Sequence, residues 1–254
     1  MRVARLAIAL LLGSPLLAAC GSGGSGPDAG ADSGVAPEPY FSLQKGRCFE
    51  YTTADTVQPS PDLGVVVEED ANSQFAAPTH VVAYYTNNGL AMRDYLAFEG
   101  SALVLYKREI GSKSYIYDPP LRRLQAPLKP NTTQQASAPV TIRDLTTVLA
   151  DKEPHDLKVD VYPKDIALPV GKTLSGLKLV FTETVTATGA AGARPEYRIL
   201  FPGDGTRDRA DGFVYINFNF EADESATLLE YKLQKVRDLG DNPKLATPRC
   251  GGTP

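Results

Sequence analysis

Residues 80–98 read HVVAYYTNNGLAMRDYLAF, and this stretch decides the fold. His80 to Thr86 is rich in β-branched and aromatic residues, and Leu90 to Phe98 is a second run of strand character. Asn87-Asn88-Gly89 separates them, and an Asn-Gly step between two such runs is the strongest short-range signal for a β-hairpin, because both residues tolerate positive φ. The stretch therefore predicts two antiparallel strands joined by a tight turn.

The same pattern continues on both sides of this hairpin. Glu99-Gly100-Ser101 predicts a further tight turn, and strands joined by tight turns form an antiparallel meander. The other predicted strands are Arg47–Val57, Leu63–Glu68, Ala102–Glu109, Ser114–Tyr117, Leu157–Tyr162, Lys172–Thr188, Arg194–Phe201, Phe213–Phe220 and Thr227–Val236. The predicted fold is mainly β: an antiparallel meander that forms a curved open sheet or half-barrel, with about one short helix.

Two segments interrupt this pattern. Pro119 to Pro139 contains five prolines and a polar tract, which predicts a long loop or crossover. Thr141 to Lys152 predicts the helix, since its apolar residues recur at helical spacing and Glu153-Pro154 would end it. These residues are Ile142, Leu145, Val148 and Leu149. A strand is the alternative for this segment, because Thr and Val are frequent in it.

The first twenty residues have the layout of a secretory signal. A short cationic start precedes the apolar run Leu6 to Leu17, which is too short for a permanent membrane-spanning helix of roughly 20 residues. The run ends in Leu17-Ala18-Ala19-Cys20, which resembles the lipobox of bacterial lipoproteins. The resemblance implies that residues 1–19 are a cleaved signal peptide and that Cys20 is acylated, for example with palmitate. The alternative is an ordinary signal peptide with a chance cysteine.

The resemblance to lipoproteins also implies a location and a domain arrangement. Gly21 follows the cysteine where an Asp would favour the inner membrane, which implies an outer-membrane lipoprotein facing the periplasm or the cell surface. After Cys20, residues 21–39 are Gly, Ser, Ala, Pro and Asp with one valine and one glutamate, so residues 20–39 predict a disordered linker that carries the lipidated cysteine. Residues 40–254 then form a single β-rich domain. A recurring aliphatic-Gly-basic pattern suggests two related halves, about 40–130 and 155–245.

The start of the folded part, Tyr40-Phe41-Ser42-Leu43-Gln44-Lys45-Gly46, resembles the Tyr-Phe-x-Leu-x-x-Gly opening of a group of uncharacterised β-rich bacterial lipoproteins. Ser42 replaces the usual Pro, and Cys48 stands at or beside the usual Trp. The resemblance implies a β-rich fold and brings no activity with it.

The charge balance excludes two classes of partner. Of the 26 basic residues, Arg2 and Arg5 leave with the signal, so 24 face 30 acidic ones and the net charge is near −6. Nucleic acid binding and docking on anionic lipid both need clustered Lys and Arg. The predicted membrane contact is therefore through the lipid on Cys20, with no nucleic acid partner.

Cys48 and Cys250 are the remaining cysteines. In an exported protein an even pair usually joins, which predicts a disulfide that brings the two ends of the domain together. Two free thiols, with Cys48 buried as a small apolar residue, are the alternative.

The sequence contains no recognisable catalytic, cofactor or metal motif. His80 and His155 are isolated, which predicts surface histidines, and Ser101 opens a strand rather than a nucleophile elbow. The loop Asp204 to Asp211 lacks the spacing of a calcium loop and predicts a solvated hairpin loop, with weak calcium binding as the alternative. Glu68-Glu69-Asp70 predicts a charged turn rather than a carboxylate pair for glycoside hydrolysis.

Tyrosines lie where strands would pack them, which favours core packing over a sugar platform. They are Tyr84, Tyr85, Tyr95, Tyr106, Tyr115 and Tyr117. The sequence therefore favours a non-enzymatic binding or structural module of the envelope, with an unknown protein partner or apolar ligand. The first alternative is a carrier of a lipid or other apolar ligand, and the second is a carboxylate-dependent hydrolase.

Overall fold

The structure is a computed structural model that describes residues 43–53, 61–69, 75, 77–167, 173–185, 194–201, 212–218, 229–241, 243 and 245–251. Contacts within the chain divide it into two units, Met1–Asp32 and Ser33–Pro254, and all described residues belong to the second. The predicted signal peptide, Cys20 and the linker lie outside the described residues, and so does the loop Asp204 to Asp211. The proposed division into two related halves stays a prediction.

The second unit is all β in its described part. Its strands are β1 Arg47–Thr52, β2 Leu63–Glu69, β3 His80–Thr86, β4 Gly89–Glu99, β5 Ala102–Ile110, β6 Lys113–Gln125, β7 Thr132–Asp144, β8 Thr147–Ala167, β9 Thr173–Val185, β10 Arg194–Phe201, β11 Gly212–Phe218 and β12 Leu229–Asp238. Each strand pairs antiparallel with the next one along the chain. The predicted mainly β fold, its antiparallel meander and most strand positions are confirmed.

The two ends of the meander meet. β1 pairs with β2 on one side and with β12 on the other, from Arg47↔Asp238 to Thr52↔Lys232. The Arg47 guanidinium Nη1 also lies 3.2 Å from Asp238 Oδ1 across this junction. The sequence predicted a curved sheet, open or half-barrel, and the β1–β12 pairing joins the two edges of that sheet.

Strong curvature is visible in one long-range contact. Arg108 on β5 and Glu183 on β9 are four strands apart, which would separate them by about 19 Å on a flat sheet with its usual strand spacing. Their side chains are 3.2 Å apart, Nη1 to Oε2. The sheet therefore curls until these strands face each other across its interior.

The decisive hairpin forms as predicted. β3 and β4 pair through Thr86↔Gly89, so the loop is Asn87-Asn88. Gly89 takes the left-handed φ of +96° that a residue with a side chain would adopt at a cost. The turn sets the pairing of Tyr85 with Leu90, and an irregularity between Tyr84 and Tyr85 then shifts the register so that Tyr84 lies opposite Met92, both of them buried in the core.

Alternate residues of the strands fill the interior. On β7, Ala138, Val140 and Ile142 are buried, and on β8 so are Leu157, Val159 and Val161, which lie opposite an earlier part of β7, Ala136, Gln134 and Thr132. The predicted packing role of the tyrosines is also confirmed for those that the core buries. These are Tyr84, Tyr85, Tyr106 and Tyr117.

The predicted helix at Thr141 to Lys152 is wrong. These residues form the end of β7, a turn at Leu145 and Thr146, and the start of β8, and no helix occurs among the described residues. Ile142 is fully buried by sheet alternation, whereas Leu145 is 79% exposed with a left-handed φ of 52°. The apolar residues at helical spacing therefore share no buried face, and the β-branched residues of the segment favour strands.

The predicted long loop from Pro119 to Pro139 is also wrong. β6 continues to Gln125 and β7 starts at Thr132, so only a short connection remains. The prolines fit because they occupy positions where a neighbouring ladder is interrupted. Pro139 lies opposite Pro154, beyond the β6–β7 ladder that ends at Tyr117↔Val140. A residue without an N–H costs little at such a position.

The predicted disulfide between Cys48 and Cys250 is present. Both cysteines are fully buried, and the bridge joins residues 202 apart in sequence. The C-terminal segment lies against β1 and β2, where the Cys250 N–H donates to Glu50 Oε1 at 2.7 Å. The bridge thus fastens this segment beside the β1–β12 junction.

Candidate functional site

A gap separates the second half of β6 from the first half of β7. The ladder between them runs from Lys113↔Asp144 to Tyr117↔Val140 and ends there, although both strands continue. Beyond that point β6 follows β5 alone, up to Ala102↔Gln125. Asp118, Pro119 and Pro120 lie at the divergence, where the β5–β6 register also shifts between Ile116 and Leu121. The proline pair therefore coincides with the opening in the sheet.

One glutamine side chain bridges the gap. Gln134 Oε1 accepts the Gln125 N–H at 2.9 Å, and Gln134 Nε2 donates to the Gln125 carbonyl oxygen at 2.6 Å. This amide takes the place of a backbone partner, satisfying one donor and one acceptor of β6. The bridge fixes the separation of the two strands near the end of the gap.

A cavity of about 260 Å³ lies in this gap. Its polar lining is Arg122, Arg123, Gln125, Gln134 and Gln135, and its apolar lining is Ala126, Pro127, Ala136, Leu157 and Val159. Among the described residues that line the cavity, none is acidic. Arg122 is exposed and Arg123 is buried, so the cavity runs from the surface towards the interior of the sheet.

Behind the cavity lies a cluster of buried charges, which we name the interior charge cluster. It consists of Asp94, Arg108, Tyr117, Arg123, His155 and Glu183, drawn from β4, β5, β6, β8 and β9. Arg108 forms two hydrogen bonds to the Asp94 carboxylate: Nε donates to Oδ1 at 2.7 Å, and Nη2 donates to Oδ2 at 2.9 Å. Bidentate pairs of this kind are among the strongest charge-assisted hydrogen bonds.

Glu183 is the centre of this cluster. Its Oε2 lies 3.2 Å from Arg108 Nη1, and its Oε1 lies 3.2 Å from Arg123 Nη1. The Arg123 guanidinium also lies over the ring of Phe181, with Cζ 4.9 Å from the ring centroid. Arg123 therefore contacts the charge cluster on one side and lines the cavity on the other.

A tyrosine and a histidine complete the cluster. Tyr117 Oη is 3.0 Å from His155 Nδ1, and His155 Nε2 is 3.6 Å from Glu183 Oε2. The carboxylate near Nε2 favours the tautomer with its proton on that nitrogen, which leaves Nδ1 to accept the Tyr117 O–H. The two carboxylates and the two guanidiniums of the cluster balance each other in charge.

Burial and the neighbouring charges together shift the pKa values of three groups in the cluster, Glu183, Arg108 and Tyr117. Burial by itself raises the pKa of Glu183, but Arg108 and Arg123 outweigh it and hold that pKa well below its usual range. Burial lowers the pKa of Arg108, and Asp94 and Glu183 more than reverse this. Burial and the nearby Glu183 raise the pKa of Tyr117, so its hydroxyl stays protonated. The Glu183 carboxylate and the Arg108 guanidinium are thus held in their ionised forms.

Two predictions about titratable residues are corrected here. His155 was predicted to be a surface histidine, but it is 2% exposed and part of the cluster, because it follows the inward alternation of Leu157 and Val159 on β8. Glu68 was predicted to lie in a charged turn, but it is a buried residue of β2. Its Oε1 accepts the Tyr85 hydroxyl at 3.4 Å. His80 is half-buried at the start of β3.

The cluster was not predicted from the sequence, although one signal pointed to it. Arg123 stands two residues after Leu121, and Glu183 stands at the alternate position that follows Leu179 and Phe181. A charge at an inward position of such a strand needs a buried partner. The identity of that partner depends on the strand order, which the local pattern does not contain.

Comparisons with known proteins return no match of any kind: no family model, curated protein or solved structure is significantly similar to this chain. Within the part of the chain that the structure describes, no helix is long and apolar enough to cross a membrane. Within that same part, no group of three or more His, Cys, Asp or Glu side chains is arranged to hold a metal ion.

Proposed function

We propose that this chain is a membrane-anchored lipoprotein of the bacterial envelope, held by lipid on Cys20, whose β domain is a non-enzymatic binding or structural module. The lipobox-like Leu17-Ala18-Ala19-Cys20 supports the anchor. The buried Cys48–Cys250 disulfide supports export, because disulfides persist in oxidising compartments. Gly21 favours the outer membrane.

The observation that carries the non-enzymatic part is the charge balance of the interior. Asp94 and Glu183 are both paired with guanidinium groups, and the Glu183 pKa lies well below its usual range. A carboxylate that acts as a general acid needs the opposite, a raised pKa. The interior charge cluster therefore supports a role in holding the fold, and it disfavours Glu183 as the general acid of a carboxylate-dependent hydrolase.

The packing of the interior favours binding of something small over carriage of a lipid. Large side chains such as Tyr84, Leu105 and Phe181 are among the most deeply buried in the core. The cavity between β6 and β7 holds about 260 Å³, slightly below the roughly 300 Å³ at which pockets for drug-sized ligands begin. A long acyl chain does not match that volume.

The anchor is tested by metabolic labelling with radioactive palmitate. The full chain and its Cys20→Ser and Cys48→Ser variants are expressed in a Gram-negative host. We expect the label on the full chain and on Cys48→Ser, which keeps the lipidation site, and its loss from Cys20→Ser alone. Equal labelling of Cys20→Ser would contradict an anchor at this residue. Sorting is tested with Gly21→Asp, for which we expect a shift from the outer to the inner membrane fraction.

The type of module is tested by native mass spectrometry of the full chain released from its membrane. We expect the mass of the lipidated chain less the two hydrogens of the disulfide. An additional mass that organic extraction removes would instead favour the lipid carrier.

A further inference from the structure

We infer that the cavity between β6 and β7 is a binding site for a small monocarboxylate with a short apolar body. The inference rests on the proposal that the β domain is a binding module, and it adds the site and the class of ligand. Its basis is the lining of the cavity, the fixed position of Arg123 and the local count of charges.

The polar side of the lining consists of guanidinium and amide groups. Arg122 and Arg123 both present guanidinium N–H donors at the cavity, where Arg123 also contacts Glu183 through its Nη1, and none of the described lining residues is acidic. A planar guanidinium matches the two oxygens of a carboxylate in a forked pair. The lining thus selects for an acceptor-rich, negatively charged group.

Arg123 is held in place before any ligand arrives. Its Nη1 is 3.2 Å from Glu183, and its guanidinium plane is supported by Phe181. The side chain is only 5% exposed, so a charged hydrogen bond formed there is sheltered from water. A donor fixed by its own protein loses little conformational freedom when it binds, which favours affinity.

The charge count favours a monoanion over a phosphate dianion. Arg108 and Arg123 are balanced by Asp94 and Glu183 within the interior charge cluster. The surplus charge in the lining is then the single positive charge of Arg122. One carboxylate neutralises it, whereas a dianion would leave a negative charge beside Glu183.

The apolar side of the lining defines the rest of the ligand. Ala136, Leu157 and Val159 form a wall of small and branched side chains next to the arginines. With about 260 Å³ in all, this wall accommodates a chain of a few carbon atoms. We therefore choose hexanoate as the probe, with hexanamide as its uncharged analogue, hexyl phosphate as the dianion and dodecanoate as the long-chain acid.

The experiment is isothermal titration of these four probes into the full chain in detergent, with titration into detergent alone as the blank. We expect hexanoate to bind at least tenfold more tightly than hexanamide, because a hydrogen bond to a charged group contributes about tenfold or more. We expect hexyl phosphate to bind more weakly than hexanoate, because its second negative charge would lie beside Glu183, and tighter binding of hexyl phosphate would overturn the choice of a monoanion. Equal affinity for hexanoate and hexanamide would refute recognition of the charge. Tighter binding of dodecanoate than of hexanoate would overturn the inference in favour of the lipid carrier.

Variants locate the site without disturbing the interior charge cluster. Ala136→Leu places extra volume in the cavity, and we expect it to abolish hexanoate binding. Its matched control is Ser137→Leu, the next residue on β7, which is exposed on the opposite face and should bind as the wild type does. Arg122→Gln should weaken binding about two- to fivefold, as expected for an exposed ion pair. Unchanged binding by Ala136→Leu would place the ligand elsewhere and overturn the inference.

The outcome separates this inference from the proposed function. If Cys20 carries palmitate and hexanoate does not bind, the site is wrong and the anchored module stands. If hexanoate binds and Cys20 is unlabelled, the anchor is wrong and the site stands. Consumption of hexanoate or of its analogues during the titration would contradict both the non-enzymatic module and the binding site.

Discussion

Replacement of Glu183 by glutamine tests the interior charge cluster most directly. The substitution keeps the shape of the side chain and removes the charge that lies 3.2 Å from both Arg108 and Arg123. Removing one partner of a buried ion pair costs about 3–5 kcal/mol, because the remaining charge stays buried without compensation. With total stabilities of about 5–15 kcal/mol for a domain, this is about a fifth or more of the free energy of unfolding.

The assay is urea denaturation of the full chain at pH 7. For a denaturant slope of about 2 kcal/mol per molar, we expect the midpoint to fall by about 2 M urea. Glu153→Gln is the matched control, since it makes the same chemical change at a half-buried position on β8 and should stay within about 0.5 kcal/mol of the wild type. A Glu183→Gln midpoint equal to that of the control would refute the view that this carboxylate compensates the two arginines.

The free energy of unfolding at acidic pH gives a second test of the Glu183 carboxylate. The pKa of Glu183 is lower in the folded chain than its usual value near 4.3, so the group contributes stability above that value. The contribution is lost as the pH falls below about 4.3 towards the lower folded pKa. We expect the stability of the wild type to decline with acid over this interval more steeply than that of Glu183→Gln. Parallel curves for the two chains would show that Glu183 has no depressed pKa.

Three further outcomes follow from the fold. Replacing Cys48 and Cys250 by serine should lower the free energy of unfolding by about 5 kcal/mol, the chain-entropy value for a loop of 202 residues, as measured by urea denaturation. Gly64→Ala should cost about 1–3 kcal/mol in thermal denaturation, because its Cβ would lie 2.4 Å from the Pro248 carbonyl oxygen; an unchanged melting temperature would contradict this close approach. Leu145→Ser, at a 79% exposed turn, should change the free energy of unfolding by less than about 0.5 kcal/mol, and a larger loss would mean that this leucine is packed.

The sequence predicts the strands well where a turn and an alternating pattern agree. Asn87-Asn88-Gly89 places β3 and β4 correctly, and Arg194–Phe201 is predicted to the residue. The prediction of a helix at Thr141 to Lys152 is wrong because four apolar residues are enough to produce a helical spacing in the sequence. Which of these residues are buried depends on tertiary contacts. Ile142 is fully buried, and Val148 is 50% exposed.

The prolines mislead for a related reason. Proline has no backbone N–H to donate to a β-ladder, so the five prolines between Pro119 and Pro139 predict a loop. In the folded chain the ladders are interrupted where the prolines lie, so the strands run through them. The interruption is what opens the cavity beside Arg123, so the misread segment is also the one that forms the candidate site.

The interior charge cluster lay beyond local reasoning because its pairs cross the sheet. Arg108 and Glu183 are 75 residues apart in sequence and four strands apart in the order of the meander. The two residues come into contact because the sheet curls and β1 pairs with β12. The Cys48–Cys250 disulfide is the one long-range contact that the sequence predicts. An Arg or Glu in an apolar strand thus signals that a buried partner exists, and the joining of the chain ends determines which residue that partner is. The same curvature brings Arg123 between Glu183 and the cavity, so the arrangement that holds the charges also positions the donor proposed for ligand binding.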